Sequence, residues 1–69
     1  MKQYLLVSEN EQFIFLEVEE DKWMEEYWKK EVNEDGDVEW LHMHTTRFLG
    51  TSAVETFVSK LNECGFENY

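Results

Sequence analysis

The chain has 69 residues, and its 16 acidic and 6 basic residues give a formal net charge of −10. This length limits the chain to one domain and excludes repeat arrays and two-domain enzymes. The acidic balance argues against direct binding to nucleic acid or anionic lipid, because both need positive patches. No apolar run is long enough to span a bilayer, and the start, MKQYLLVSENEQ, is not typical of a secretory signal.

The single cysteine, Cys64, cannot form a disulfide within the chain. We therefore expect a reducing, cytoplasmic location, with Cys64 as a core residue. The aromatic residues, which make up 16% of the chain, can bury enough surface to fold it despite the charge. Because so short a chain buries only about 60% of its unfolded surface, a homodimer or a cationic partner would help to stabilise it.

Two β-rich runs surround a short polar break near the start of the chain. Residues 3–8 contain the continuous apolar run Tyr4–Val7, and residues 12–19 place Ile14, Leu16 and Val18 on one face and two phenylalanines followed by two glutamates on the other. The polar connection at 9–11 predicts a β-hairpin. Both faces of the second run begin apolar, so this strand needs cover on both sides or a partner subunit on one.

Residues 21–32 have the signals of both a helix and a strand. Asp21 suits a helix N-cap, and two Glu–Lys pairs have the i,i+4 order that stabilises helices. Large apolar side chains recur at helical spacing, so we favour a helix. The alternative is a strand at 27–32 that pairs with the next one through Asp35-Gly36, a dipeptide typical of tight hairpin turns.

The last third of the chain predicts one strand and one helix. Residues 38–47 alternate in the manner of a strand. Residues 52–64 read as a helix that begins with a capping box between Ser52 and Glu55 and ends before Gly65. The apolar stripe of this helix consists of Val54, Phe57, Val58, Leu61 and Cys64.

These elements predict a single α+β domain over residues 1–69. Its order is β-β-α-β-α, with a three-stranded, mainly antiparallel sheet and helices packed on it. If residues 21–32 are a strand, the fold is instead a four-stranded antiparallel sheet followed by the C-terminal helix. A sheet face without helices would be a dimer interface, and the residues that we predict there are Phe13, Phe15 and Trp40.

The excess negative charge belongs to residues 9–39, which hold 13 acids and 3 lysines, or 3 − 13 = −10. It gathers in clusters at 17–21 and 31–39, which a helix at 21–32 would separate by about 15–20 Å. Spaced carboxylates can imitate duplex phosphates, and in size and charge the chain resembles DNA-mimic inhibitors, many of them phage-encoded. The acids that we expect to contact a basic partner are Glu17, Glu19, Glu20, Asp21, Glu34, Asp35, Asp37 and Glu39.

Catalytic motifs are lacking. The glycines are isolated, so no loop can cradle a phosphate, and Ser52 has no triad context. We therefore predict no enzymatic activity and no cofactor. The weak candidates for metal ligands are His42 and His44, which a regular strand would place on one side, about 6.5–7 Å apart at Cα.

Together these features predict a non-enzymatic protein that binds a basic, nucleic-acid-binding protein without touching nucleic acid or membrane itself. The form that we favour is a DNA-mimicking inhibitor or regulator from a phage or mobile element. The alternative is a small homo-oligomeric structural or accessory subunit that assembles through an aromatic sheet face.

Overall fold

The computed structural model describes residues 2–69, which form one five-stranded antiparallel sheet and one helix. In chain order the elements are β1 (Gln3–Val7), β2 (Glu11–Glu19), β3 (Lys22–Val32), β4 (Val38–Leu49), α1 (Thr51–Glu63) and β5 (Glu67–Asn68). The strands lie in the order β4-β3-β2-β1-β5. The α+β class and the antiparallel sheet are confirmed. The predicted strand count and order are confirmed only in part: strands β1 to β4 followed by α1 match the alternative of a four-stranded antiparallel sheet with a C-terminal helix, and β5 adds a fifth strand.

Residues 22–32 form strand β3 rather than the helix that we favoured. On one sheet face Trp23 packs against Tyr4, with ring centroids 6.0 Å apart, and Tyr27 stacks on Phe13 at 4.7 Å. The strand also pairs with β2 on one side and β4 on the other. A helix would leave both neighbouring strands without these pairings, which therefore outweigh the local helix signals.

Two turns set the ends of β3. Glu20 and Asp21 connect it to β2, and Asp21 has a φ of 58°, a left-handed conformation that Asp tolerates better than most residues. Residues 33–37 close the hairpin between β3 and β4, with Gly36 at a φ of 85°. The hairpin turn at Asp35-Gly36, which belonged to the alternative strand interpretation, is therefore present.

Helix α1 packs on one face of the sheet, where it contacts β1 and β3. The buried core between helix and sheet consists of Leu6, Phe15, Trp23, Val54 and Val58. Strand alternation sends the intervening side chains to the opposite face, which no helix covers within residues 2–69. We call this opposite side of the sheet the open face.

The ends of α1 differ from the predicted ones in two details. The helix begins at Thr51 after Gly50, and its cap lacks a side-chain hydrogen bond, so the capping box at Ser52 does not form. Ser52 already lies inside the first turn, because the helix starts one residue earlier than predicted. Cys64 is exposed rather than buried, since it follows the last turn, while Gly65 takes the predicted left-handed position with a φ of 96°.

Candidate acidic interaction surface

The β3–β4 hairpin is longer than the rest of the sheet. Strand β2 begins at Glu11, which pairs with Lys29, so β3 and β4 continue past it as a two-stranded ribbon. We call residues 30–40 the acidic arm, because they hold five acids and one lysine, a net charge of 1 − 5 = −4. The arm contributes to the elongated shape of the molecule, which measures 43 × 23 × 16 Å.

The arm has two chemically different sides. Glu31 and Glu39 are direct cross-strand partners on the side that continues the helix-covered face. Val32 and Val38 pair on the other side, next to Trp40. Like charges directly opposite each other destabilise a β-ribbon. A cationic partner would relieve that repulsion, because it would place positive charge between the two carboxylates.

A compact turn presents the acids at the tip of the arm. The Oδ1 atom of Asn33 accepts hydrogen bonds from the backbone N–H groups of Asp35 at 3.0 Å and Asp37 at 2.9 Å. The N–H of Gly36 donates to the carbonyl oxygen of Asn33 at 3.0 Å. These bonds use the Asn33 side chain and backbone groups alone, and the side chains of Glu34, Asp35 and Asp37 are exposed.

The second predicted cluster lies at the opposite end of β3 and is more constrained. Glu19 forms an ion pair with Lys22, with 2.9 Å between Oε2 and Nζ. Glu17 is half-buried on the helix-covered face. Glu20 and Asp21 are exposed in the turn. Of the acids in this cluster, these two turn residues are therefore the most accessible to a partner.

The strand also changes the distance between the two clusters. The 11 residues of β3 span ten steps of about 3.4 Å, which place the two clusters about 34 Å apart, not the 15–20 Å of a helix. Within residues 2–69, neither ion pair of the structure, Lys22–Glu19 or His44–Glu25, engages an acid of the arm. All five carboxylates of the arm thus lie outside these ion pairs, whereas the other cluster has Glu19 paired with Lys22.

The three residues predicted at a dimer interface lie on different faces. Phe15 is 1% exposed in the core, and Phe13 packs against it on the helix-covered face, so neither is available to a partner. Trp40 lies on the open face and is 37% exposed. The prediction was wrong about Phe13 and Phe15 because α1 covers their side of β2, which leaves Ile14 and Leu16 on the open face.

His42 and His44 do not share a face, contrary to the predicted arrangement. Tyr27 pairs with His44 and the next residue, Trp28, pairs with His42, so a bulge at Met43 shifts the register of β4. The imidazoles lie 5.2 Å from the Tyr27 ring and 5.1 Å from the Trp28 ring, on opposite sides of the sheet. They cannot bind one metal ion together, and the described residues contain no cluster of three potential metal ligands.

The helix-covered face instead brings His44 next to a carboxylate. Its Nε2 atom lies 3.5 Å from Oε1 of Glu25, a side chain that is 13% exposed. That Oε1 atom is buried and accepts no hydrogen bond from residues 2–69. The contact becomes an ion pair when the imidazole is protonated. Sequence reasoning missed this pair because it depends on the bulge in β4.

A hydrogen bond across the sheet holds the base of the arm. The hydroxyl of Tyr27 donates to a carboxylate oxygen of Glu11, the first residue of β2. This bond to the carboxylate is the main reason that the pKa of Tyr27 is raised above its ordinary value of 10.0. Sequence reasoning gave no signal for the pair, because its partners meet only through the register of β2 and β3.

No family model, curated protein or solved structure matches this chain. Within the described residues, no helix has the length and apolar character needed to cross a membrane. The functional assignment therefore depends on the acidic arm, its charges and the faces of the sheet.

Proposed function

We propose that this protein is a non-enzymatic interaction protein that binds the basic surface of another protein through the acidic arm. The observation that supports this function best is the projection of residues 30–40 beyond the sheet with a net charge of −4. A two-stranded ribbon with side chains exposed on both sides can enter a groove that a flat sheet face cannot. Its turn places three further carboxylates at the leading end.

Electrostatics favours a cationic groove as the site of binding. The opposed Glu31 and Glu39 repel each other in the free protein, and a lysine or arginine between them converts that repulsion into attraction. The overall charge of −10 steers the chain toward a basic surface and raises the association rate at low salt. Such binding weakens as salt increases.

The spacing of the two acidic clusters supports the DNA-mimic form of the proposal. Their separation of about 34 Å is close to one turn of duplex DNA, about 34–36 Å, which is the distance between half-sites of many dimeric DNA-binding proteins. In this arrangement the arm is the main contact, and Glu20 and Asp21 form a second one. The proposed partner is a nucleic-acid-binding protein in the cytoplasm, inhibited or regulated by a protein of phage or mobile-element type.

Capture from an extract of the source organism tests this function with two matched variants. The arm variant changes Glu34, Asp35, Asp37 and Glu39 to lysine, and the control variant changes Glu9, Glu55, Glu63 and Glu67 to lysine. Each variant has a net charge of −10 + 8 = −2, so they differ only in where the charge was removed. Circular dichroism verifies that both are folded.

We expect the wild type and the control to retain a basic protein at low salt, and the arm variant to lose it. Duplex DNA added to the extract should compete for the captured protein. Retention by the arm variant at low salt, or equal losses in the two variants, would show that the arm does not bind the partner.

A further inference from the structure

The open face carries apolar side chains that no helix of residues 2–69 covers. Strand pairing places on it a patch that runs across four strands, formed by Leu5, Ile14, Leu16, Met24, Trp28 and Trp40. The patch is central rather than peripheral, because β2 and β3 are inner strands of the sheet. A face of this kind is typical of a surface that a protein covers in its functional state.

The charge of the open face differs from that of the whole molecule. By strand alternation its charged residues are the acids Glu19, Glu26 and Glu67 and the bases Lys22, Lys30 and Arg47. Their sum is 3 − 3 = 0, while the chain as a whole has a net charge of −10. The excess acids lie on the helix-covered side, on the helix and in the turns. A basic partner therefore has no electrostatic reason to bind the open face.

We infer that the open face is a homodimer interface and that its occupant is a second copy of this chain. A second copy brings a face that is equally apolar, is neutral and contains both signs of charge, so the contact is self-complementary. Packing the two open faces together also keeps the two strongly acidic sides apart, one on each outer surface of the dimer.

The size of the face is sufficient for a stable dimer. Four strands at a spacing of about 4.8 Å and a length of about 30 Å give a footprint on the order of 570 Å² per copy. Two copies then bury on the order of 1,100 Å², which exceeds the roughly 1,000 Å² expected of a specific interface. Sheets pack face to face in this way with strands nearly aligned.

In one arrangement of the dimer, a protruding side chain of each open face fits into a cleft of the other. At the end of the sheet near the β2–β3 turn lies a cleft of about 480 Å³, whose open-face lining includes Met24, Arg47 and Leu49 and whose inner wall includes Trp23 and Phe48. Trp40 lies about 20 Å away along the same face, because six residue steps of β3 separate the positions that pair with Arg47 and Trp40. A two-fold axis that is perpendicular to the strands and lies midway between Trp40 and the cleft places each Trp40 in the cleft of the other copy. There the indole ring meets the Arg47 guanidinium, a favourable cation–π contact.

Sedimentation equilibrium of the full chain tests the dimer with a matched pair of variants. Trp40 and Leu41 are neighbours on β4 with exposures of 37% and 38%, but Leu41 points to the helix-covered side. We expect the wild type and Leu41→Lys to reach 2 × 8.4 = 16.8 kDa at high concentration, and Trp40→Lys to remain at 8.4 kDa. Met24→Lys, in the cleft, should also remain at 8.4 kDa, and circular dichroism reports whether each variant is folded.

Salt distinguishes this inference from the proposed function. Added salt should strengthen the dimer, because it screens the repulsion between two chains of −10, whereas it should weaken binding to a basic partner. A wild type that stays at 8.4 kDa at every concentration would overturn the inference. So would a folded Trp40→Lys variant at 16.8 kDa, or equal dissociation of the Trp40 and Leu41 variants.

Discussion

Replacement of Glu39 by lysine is expected to stabilise the fold while it weakens binding to a basic partner. Glu39 faces Glu31 directly across the two strands of the arm. With about 7 Å between the carboxylates and the dielectric constant of water, Coulomb's law gives a repulsion of about 0.6 kcal/mol, which 0.1 M salt reduces to about half. Glu39→Lys turns this repulsion into an attraction of similar size. We therefore expect a gain of about 1.2 kcal/mol without salt and about 0.6 kcal/mol at 0.1 M.

Urea unfolding and amide exchange within residues 30–40 measure this gain globally and locally. Glu9→Lys is the control, because it makes the same change in net charge, to −8, in an exposed turn without a cross-strand carboxylate. Glu39→Lys should have a higher free energy of unfolding than the control and slower amide exchange within the arm. The difference in free energy of unfolding should disappear near 1 M salt. An equal effect of the two variants, or a gain that salt does not change, would refute the argument.

Three further predictions concern the core, the turn and the base of the arm. Trp23→Ala should lower the free energy of unfolding by about 3–5 kcal/mol in urea titrations, because Trp23 is buried in the core; a loss below 1 kcal/mol would contradict this packing. Gly36→Ala should cost about 1 kcal/mol by the same assay, because its φ is 85° although no neighbouring atom blocks a Cβ; no loss would contradict the turn geometry. NMR titration should place the pKa of Tyr27 above 10.0 and show a lower pKa in Glu11→Gln. Because the pKa is raised in the folded state, the hydrogen bond between Tyr27 and Glu11 stabilises the fold below pH 10, and this stabilisation disappears as the pH rises through the raised pKa. An unchanged Tyr27 titration in Glu11→Gln would show that this hydrogen bond does not form in solution.

The local signals in the sequence were sufficient for the hairpin at 3–19 and for the C-terminal helix. The helix has a clear apolar stripe that ends before Gly65, and the hairpin has two β-rich runs around a short polar break. Residues 21–32 were predicted wrongly because their Glu–Lys spacing and aromatic positions fit a helix locally. Pairing with two neighbouring strands decided the outcome, and such pairing is not visible in a local pattern. Strand β5 was missed because it is only two residues long and depends on β1 for its position.

The candidate surface was predictable in composition but not in arrangement. The acids at the tip of the arm were identified from charge density and from Asp35-Gly36. Their distance from the other cluster required knowledge that β3 is a strand. Which sheet face is covered depends on where α1 packs, and the sequence does not show this, so Phe13 and Phe15 were assigned to the wrong face. The arrangement of the two histidines depends on a single bulged residue, Met43.

The salt dependence of partner binding, measured with the captured basic protein and the purified chain, tests the central claim most directly. For the wild type we predict that log Kd rises steeply and linearly with log salt, as expected when arm carboxylates replace counterions on a cationic groove. The variant with Glu34, Asp35, Asp37 and Glu39 changed to lysine should bind weakly with a nearly flat slope, while the control of equal net charge keeps most of the wild-type slope. Equal slopes in the two variants would contradict the assignment of binding to the acidic arm.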